Sequence, residues 1–190
     1  MVYRKYSDFL REKFGEKVYK LPVKLDLTCP NRDGTCGVGG CIFCGEEGGS
    51  FENNFGSVRD QLLKNKELIK NKYKANKYIA YFQNFTNTYM PFDDFKRVIE
   101  ESLIDGVVGI SISTRPDYLP KRHLDYLEEL NKNYFVTVEI GLQTPNYHSL
   151  KKLNRGHGLS EFIDAALKLK KRNLNVCTHI IIVLPWDDDL

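Results

Sequence analysis

The 190-residue sequence lacks a long apolar run and a strong charge of one sign, and these absences exclude several classes of protein. The longest late apolar run, residues 180–184, is far shorter than the roughly 20 residues that a membrane-spanning helix needs. Residues 1–8 lack the apolar region of a secretory signal, so we expect a cytoplasmic protein without a membrane partner. The net charge of +3 is too small to predict nucleic-acid binding.

Cysteine is scarce, with five in the chain, yet most of it is concentrated in one glycine-rich loop. The loop, residues 29–44, reads CPNRDGTCGVGGCIFC. Its glycines at positions 34, 37, 39 and 40 allow tight folding and positive φ where a Cβ atom would clash. Cys29, Cys41 and Cys44 can therefore converge on one inorganic centre, as in iron–sulfur sites, and three thiolates would leave one iron open to an outside ligand.

Two alternatives remain open from the loop alone. A structural zinc site would use four thiolates, those of Cys29, Cys36, Cys41 and Cys44. Disulfides belong to oxidising compartments, whereas an odd number of cysteines in a chain without a secretory signal favours a reducing cytoplasm and metal chemistry.

The rest of the chain alternates strand-like and helix-like segments, which predicts parallel strands with right-handed crossovers. An amphipathic helix is predicted first, over residues 3–14. The predicted strands are residues 18–28, 77–82, 106–113, 134–143 and 175–184. The predicted helices are residues 58–73, 91–103, 119–131 and 160–171, the last capped by Ser160.

Two of the predicted strands place apolar residues on one face and polar or small residues on the other. In residues 134–143 the even positions are apolar, whereas the odd positions end in Thr137, Glu139, Gly141 and Gln143. Residues 106–115 repeat the pattern. A shared polar interior predicts a ligand cavity in a barrel whose functional groups lie at the carboxyl ends of its strands. The alternative is an open α/β sheet whose polar face is exposed.

Seven segments, in order, resemble the radical S-adenosylmethionine (radical SAM) superfamily. The resemblance is specifically to the YhcC-like group, which is related to the radical SAM domain of the elongator catalytic subunit. It covers nearly the whole chain. The segments are TCPNRDG at 28–34, GCIFC at 40–44, YFQNFTNTY at 81–89, STRPD at 113–117, VEIGLQT at 138–144, LNRGH at 153–157 and HII at 179–181.

The resemblance implies an α/β fold, a partial (β/α) barrel of parallel strands similar to a TIM barrel. It implies a single radical SAM core domain over residues 1–190, with an N-terminal helix within residues 1–16 and a cluster-binding loop at residues 29–49. Cys29, Cys41 and Cys44 would hold a 4Fe–4S cluster, and S-adenosylmethionine would bind its unique iron.

The implied reaction is the reductive cleavage of S-adenosylmethionine to a 5′-deoxyadenosyl radical. An electron donor such as flavodoxin or ferredoxin is implied, and the elongator likeness suggests tRNA as a substrate. No residue is predicted as catalytic. The predicted cofactor contacts are Phe43, Gln83, Asn84, Thr86, Ser113, Arg115, Glu139, Gln143 and Arg155.

Some features depart from the family pattern. Cys36 is an additional thiol in the loop. Cys177 lies at the start of the last strand, roughly 20 Å from the mouth at about 3.3 Å per residue, so a core role is expected for it. His179 is also expected in the core, as a hydrogen-bonded histidine.

The sequence ends soon after its fifth strand, where the family would continue with a helix and a further strand. We therefore expect a C-terminal truncation that leaves an association-prone edge, to be completed by a C-terminal segment or a partner chain. The alternative functions are a zinc module that binds RNA or protein and a catalytically silent iron–sulfur remnant.

Overall fold

The computed structural model describes residues 2–46, 48 and 56–186, which form a single parallel sheet with helices. The strands are β1 (Val18–Val23), β2 (Lys77–Phe82), β3 (Val107–Thr114), β4 (Phe135–Gln143) and β5 (Asn175–Ile180). The helices are α1 (Tyr6–Phe14), α2 (Val58–Tyr73), α3 (Phe92–Glu101), α4 (Lys121–Leu130), α5 (Tyr147–Lys152) and α6 (Leu159–Lys171).

The strands are arranged in chain order, β1-β2-β3-β4-β5, and every neighbouring pair is parallel. Each crossover therefore connects a strand to its immediate neighbour in the sheet, always in the same direction. Because such crossovers are right-handed, the helices that make them accumulate on one face of the sheet. The alternation predicted from the sequence is confirmed, and the fold is an α/β partial barrel.

The helix-covered, convex face of the sheet contains the apolar core. Five even-numbered residues of β3 and β4 are apolar and fully buried in one cluster with side chains of α2, α3, α4 and α6, namely Ile110, Ile112, Val136, Val138 and Ile140. Their odd-numbered neighbours point to the opposite, concave face, since successive side chains of a strand alternate. Register pairing places Ser113, Glu139 and Cys177 side by side across β3, β4 and β5.

Helix α1 closes the amino-terminal end of the concave face. Leu10 is buried there against Ile79 of β2 and Phe135 of β4, and Phe9 and Phe14 pack around them. The Phe14 and Phe135 rings meet edge to face, with their centroids 5.8 Å apart. The concave face is therefore closed at one end and open at the carboxyl ends of the strands.

Four details differ from the sequence-based expectation, the first of which is that β1 ends at Val23 and not at residue 28. Helix α5 was not predicted; Asn146 begins it by accepting hydrogen bonds from the backbone N–H groups of residues 148 and 149. Helix α6 is capped by Gly158 rather than Ser160, because the Glu161 carboxylate accepts from both the Gly158 N–H and the Ser160 hydroxyl. Strand β5 ends at Ile180, and Val183 has a φ of +62°, which a continuous strand does not allow.

Strand β5 forms one edge of the sheet and is paired only with β4 in the described part of the chain. Ile182 and Val183, which follow it, are 76% and 88% exposed. Among the described residues, none of the helices combines the length and the apolar character required to cross a bilayer.

Candidate functional site

A cavity of about 230 Å³ lies at the carboxyl ends of the strands, where the concave face opens. The three predicted metal ligands, Cys29, Cys41 and Cys44, all line it. So do all but one of the predicted cofactor contacts, namely Phe43, Gln83, Thr86, Ser113, Arg115, Glu139, Gln143 and Arg155. The fold thus brings together residues that lie far apart in the sequence.

Asn84 is the predicted contact that does not line the cavity in the described part of the chain. Its side-chain amide pairs with the backbone of Leu25, accepting from the N–H at 3.2 Å and donating to the carbonyl at 2.6 Å. It is fully buried. Asn84 therefore links the segment after β1 to the segment after β2.

The cysteine loop is a tight structure built on turns. The Cys44 N–H donates to the Cys41 carbonyl at 2.9 Å, and a short antiparallel bridge joins Asp33 to Val38. Gly40 has a φ of +77°, which confirms the prediction of positive φ in this loop. Cys41 is buried, whereas Cys29 and Cys44 are half-buried. Part of the predicted 29–49 loop, residues 47 and 49, lies outside the described residues.

Cys36 is separated from this group. It is exposed, and it does not line the cavity in the part of the chain that the structure describes. Its N–H donates to the carbonyl of Pro30 at 2.7 Å, so it belongs to the outer turn of the loop. This position does not favour the four-thiolate zinc alternative.

A segment from far along the chain holds the cysteine loop in place; we call residues 153–156 the brace. The Ile42 N–H donates to the Leu153 carbonyl at 3.1 Å. The Asn154 side chain donates to the carbonyls of Val38 and Gly40 at 3.1 and 2.8 Å. Asn154 itself has a φ of +53°, a left-handed conformation that asparagine tolerates better than most residues. These hydrogen bonds from the brace fix the backbone of the cysteine loop.

The sulfur atoms receive hydrogen bonds from neighbouring side chains. Cys41 Sγ accepts from Asn31 Nδ2 at 3.5 Å and from Arg155 Nη1 at 3.4 Å, and Cys29 Sγ accepts from Thr86 Oγ1 at 3.3 Å. Burial raises the pKa of the Cys44 thiol, and the nearby Arg32 guanidinium opposes that effect. These donors stabilise thiolates, which is the form that ligates metals.

Arg115 is only 2% exposed, and its guanidinium is engaged by the protein. Its Nε and Nη2 atoms donate to the two Asp117 carboxylate oxygens at 2.9 and 2.7 Å, and Nη1 donates to the Arg155 carbonyl at 3.1 Å. Arg115 therefore supports the brace from the side of β3.

Glu139 is the centre of a polar network on the concave face, below the cavity. One carboxylate oxygen accepts from Lys20 at 2.5 Å and from Ser111, and the other accepts from His179 at 2.7 Å and from Tyr81 at 3.3 Å. Burial opposes ionisation, but His179 and Lys20 outweigh it and lower the pKa of Glu139 to about 2. Hydrogen bonds to Cys177 and Glu139 raise the pKa of His179 to about 9.

The core expectation for His179 and Cys177 is wrong. The His179 side chain is 44% exposed and lines the cavity, although it is hydrogen-bonded as expected. The ligand atoms of Glu139, Cys177 and His179 lie within 4.8 Å of one another. The odd positions of β5 continue the polar face of β4, which explains why neither residue joins the apolar core.

Several functional neighbours were missed by the sequence reasoning. Asn31 and Asn154 lie inside the segments that carried the resemblance, but nothing in their spacing shows that they contact each other. Lys20 reaches from β1 to Glu139 on β4, and its ammonium lies 3.9 Å from the Tyr81 ring centroid. Lys20 lies on the concave face, because it pairs with Ile79 of β2. The alternation of side chains along β1 would have indicated this position.

The cavity fits a small ligand bound next to the three cysteines. Arg32 and Arg155 both line the cavity, and the buried Nε of each has no hydrogen-bond partner among the described residues. Gln83 and Gln143 supply further polar groups at the wall, and Phe43 is an exposed aromatic ring at the rim. Such a set suits a ligand with a carboxylate and an aromatic base.

Comparison with known proteins gives one family and several relatives. The family model described as the radical SAM superfamily matches residues 32–189. The protein YtqA of Bacillus subtilis (strain 168) is 44% identical over 192 aligned positions, which cover 98% of this chain and 59% of that protein. Protein YhcC of Escherichia coli (strain K12) is 35% identical over 181 residues, or 94% of this chain and 58% of that protein.

A more distant relative matches over a shorter region. The tRNA uridine(34) acetyltransferase of Methanocaldococcus jannaschii is 31% identical over 90 residues, which is 47% of this chain and 16% of that protein. The chain therefore spans somewhat more than half of YtqA and YhcC, and a small part of the acetyltransferase.

Proposed function

Because the chain belongs to the radical SAM superfamily, we propose that it holds a 4Fe–4S cluster through Cys29, Cys41 and Cys44 and cleaves S-adenosylmethionine reductively. The observation that carries this proposal is that these three cysteines line one cavity together with the polar residues at the ends of four neighbouring strands. The cluster, when bound, supplies the electron that breaks a carbon–sulfur bond of S-adenosylmethionine and yields methionine and a 5′-deoxyadenosyl radical.

The chain's own residues bind and orient the sulfonium ligand. Arg155, which lines the cavity and whose Nε has no hydrogen-bond partner among the described residues, is assigned to the methionyl carboxylate. Gln83 and Gln143 are assigned to its remaining polar groups, and the Phe43 ring to the adenine. Glu139 has a different part, since its carboxylate is already bound by four side chains; it fixes the lower wall of the cavity.

Anaerobic reconstitution tests the proposal. We expect a brown protein with about four irons and four sulfides per chain, which forms 5′-deoxyadenosine when S-adenosylmethionine and a strong reductant are added. A colourless protein with one zinc per chain would contradict the cluster. A loaded protein that forms no 5′-deoxyadenosine would identify it as a silent iron–sulfur protein.

A matched pair of cysteine variants sharpens the test. Cys44→Ala removes a sulfur that lines the cavity and should abolish iron binding, whereas Cys36→Ala removes the exposed thiol outside it and should leave the iron content unchanged. Under the four-thiolate zinc alternative, both variants should lose the metal. The two hypotheses therefore differ in the outcome for Cys36.

The substrate that receives the radical is proposed from likeness alone. The acetyltransferase relative acts on tRNA by its name, so we propose tRNA as the substrate class and a small redox protein such as flavodoxin or ferredoxin as the electron donor. Profiling tRNA modifications in a deletion strain tests the substrate; an unchanged profile would contradict it.

A further inference from the structure

The sulfurs of Cys41 and Cys29 have unequal surroundings, and the third sulfur, that of Cys44, lies near the Arg32 guanidinium. Cys41 Sγ receives one neutral donor, Asn31 Nδ2, and one cationic donor, Arg155 Nη1, at 3.5 and 3.4 Å. Cys29 Sγ receives a single neutral hydroxyl donor, that of Thr86, at 3.3 Å. Cys41, Asn31 and Arg155 are also all buried, so water does not screen the contacts at Cys41 as it would at a surface.

The amide orientation of Asn31 is fixed by its partners. Its Nδ2 atom also donates to the Asn154 carbonyl at 2.6 Å, so both neighbours of this atom are acceptors. A flipped amide would turn its oxygen towards a carbonyl oxygen and a sulfur, which is repulsive. The opposite atom, Oδ1, is buried without a partner in the described chain, so Asn31 leaves an acceptor unsatisfied in order to keep this orientation.

Glycines make the close approach of both donors possible. A Cβ atom at Gly141 would lie 2.7 Å from Arg155 Nη2, and one at Gly156 would lie 2.6 Å from Asn31 Oδ1. A Cβ atom at Gly37 would likewise lie too close to Asn31, at 2.4 Å from its Oδ1 atom. A side chain at any of these positions would displace Asn31 or Arg155. The absence of a Cβ atom there therefore permits their contacts with Cys41.

Donors of this kind change the electronic character of a thiolate ligand. Hydrogen bonds and positive charge next to a metal-bound sulfur stabilise the more negative, reduced state of an iron–sulfur centre and so raise its reduction potential. The effect is larger for a buried charged donor than for a neutral hydroxyl.

We propose that Asn31 and Arg155 are positioning residues that raise the reduction potential of the centre through the sulfur of Cys41. The inference rests on the proposed function, since it concerns the cluster assigned to the three cysteines. It gives Arg155 Nη1 a role at Cys41 that is separate from any contact of Arg155 Nε with a ligand in the cavity.

The test is a potentiometric titration of the reconstituted chain in the absence of S-adenosylmethionine. Electron paramagnetic resonance measures the reduced fraction at each potential. Arg155→Gln should shift the ratio of reduced to oxidised centre by about tenfold at a fixed potential, which corresponds to about 59 mV towards lower potential for one electron. Asn31→Leu should shift it in the same direction by less. Thr86→Val, which removes the neutral donor at Cys29, should give the smallest shift.

Lys151→Gln is the charge-matched control, because it removes one positive charge from an exposed position on α5. It should leave the potential unchanged. Iron content is measured for every variant, so that a potential is compared only between fully loaded proteins.

Each outcome separates the hypotheses. Loaded Arg155→Gln and Asn31→Leu proteins with the parent potential would overturn the inference and leave the proposed function intact. If both variants lose iron while the parent retains it, the donors only hold the loop, and the electrostatic role is wrong. A parent chain that binds no iron would overturn the proposed function, and this inference with it.

Discussion

The two faces of strands β3 and β4 are equally buried and chemically opposite. Ile110 and Ile112 on the convex face are fully buried among apolar side chains, whereas Ser111 and Glu139 on the concave face are as deeply buried among polar ones. The apolar face gains free energy simply by leaving water. The polar face does so only if each group finds a partner, since a buried polar group without one is destabilising.

Within one strand, the convex face therefore contributes mainly to stability, and the concave face contributes the polar groups of the site. The convex face can be filled with any well-packed apolar residues, but the concave face depends on specific contacts, such as the four that Glu139 accepts. Substitutions at neighbouring positions of one strand should therefore have effects that differ in kind.

The largest loss of stability is expected on the convex face. Ile112→Ala removes a fully buried side chain from the core cluster and should lower the free energy of unfolding by about 2–5 kcal/mol. Urea unfolding followed by circular dichroism measures this loss. The control is Ser113→Ala on the same strand, for which we expect a change of about 1 kcal/mol or less. Equal losses for the two variants would contradict the division between the faces.

A smaller loss is expected when the polar network loses its central charge. Glu139→Gln leaves Lys20 and His179 without an anionic partner and should lower the free energy of unfolding by about 1–3 kcal/mol. The two cations are partly exposed, so water reduces the penalty. Glu129→Gln, which removes an exposed ion pair with Lys132, is the control and should change stability by about 0.5 kcal/mol or less.

The smallest effect concerns the pH dependence of stability. His179, beside Glu139 and Cys177, has a pKa raised to about 9 from its ordinary 6.5, so its contribution is complete below pH 6.5 and is lost as the pH rises through 9. Glu139 has a pKa lowered to about 2 from 4.5, so its contribution is complete above pH 4.5 and is lost as the pH falls through 2.

Thermal unfolding between pH 5 and pH 10 measures this dependence. The parent chain should lose stability between pH 6.5 and pH 9, and His179→Gln should flatten that slope. An unchanged slope in the variant would show that the pH dependence does not arise from His179.

Features set by local pattern could be predicted from the sequence. Strand parity in residues 134–143 identified the polar face, and the spacing of the cysteines identified a set of three that line one cavity. Helix α5 was missed because its six residues carry too short a pattern to distinguish it from a turn.

Contacts between distant segments could not be predicted, because they depend on the register of the sheet and on the path of loops. Lys20 meets Glu139 across the concave face, and Asn31 meets Asn154 across the cysteine loop. His179 was assigned to the core from its place in the fifth strand, although β5 is an edge strand whose odd positions continue the polar face of β4.

The brace lies far from the cysteine loop in the sequence, and this separation affects the order of synthesis and folding. Asn31 and Asn154 are 123 residues apart, so the cysteines leave the ribosome long before the segment that holds them in position. Under the proposed function, we expect loading of the centre to follow synthesis and folding of most of the chain. A nascent polypeptide that ends between residues 44 and 153 would contain Cys29, Cys41 and Cys44 and still lack Asn154 and Arg155, which contact the cysteine loop.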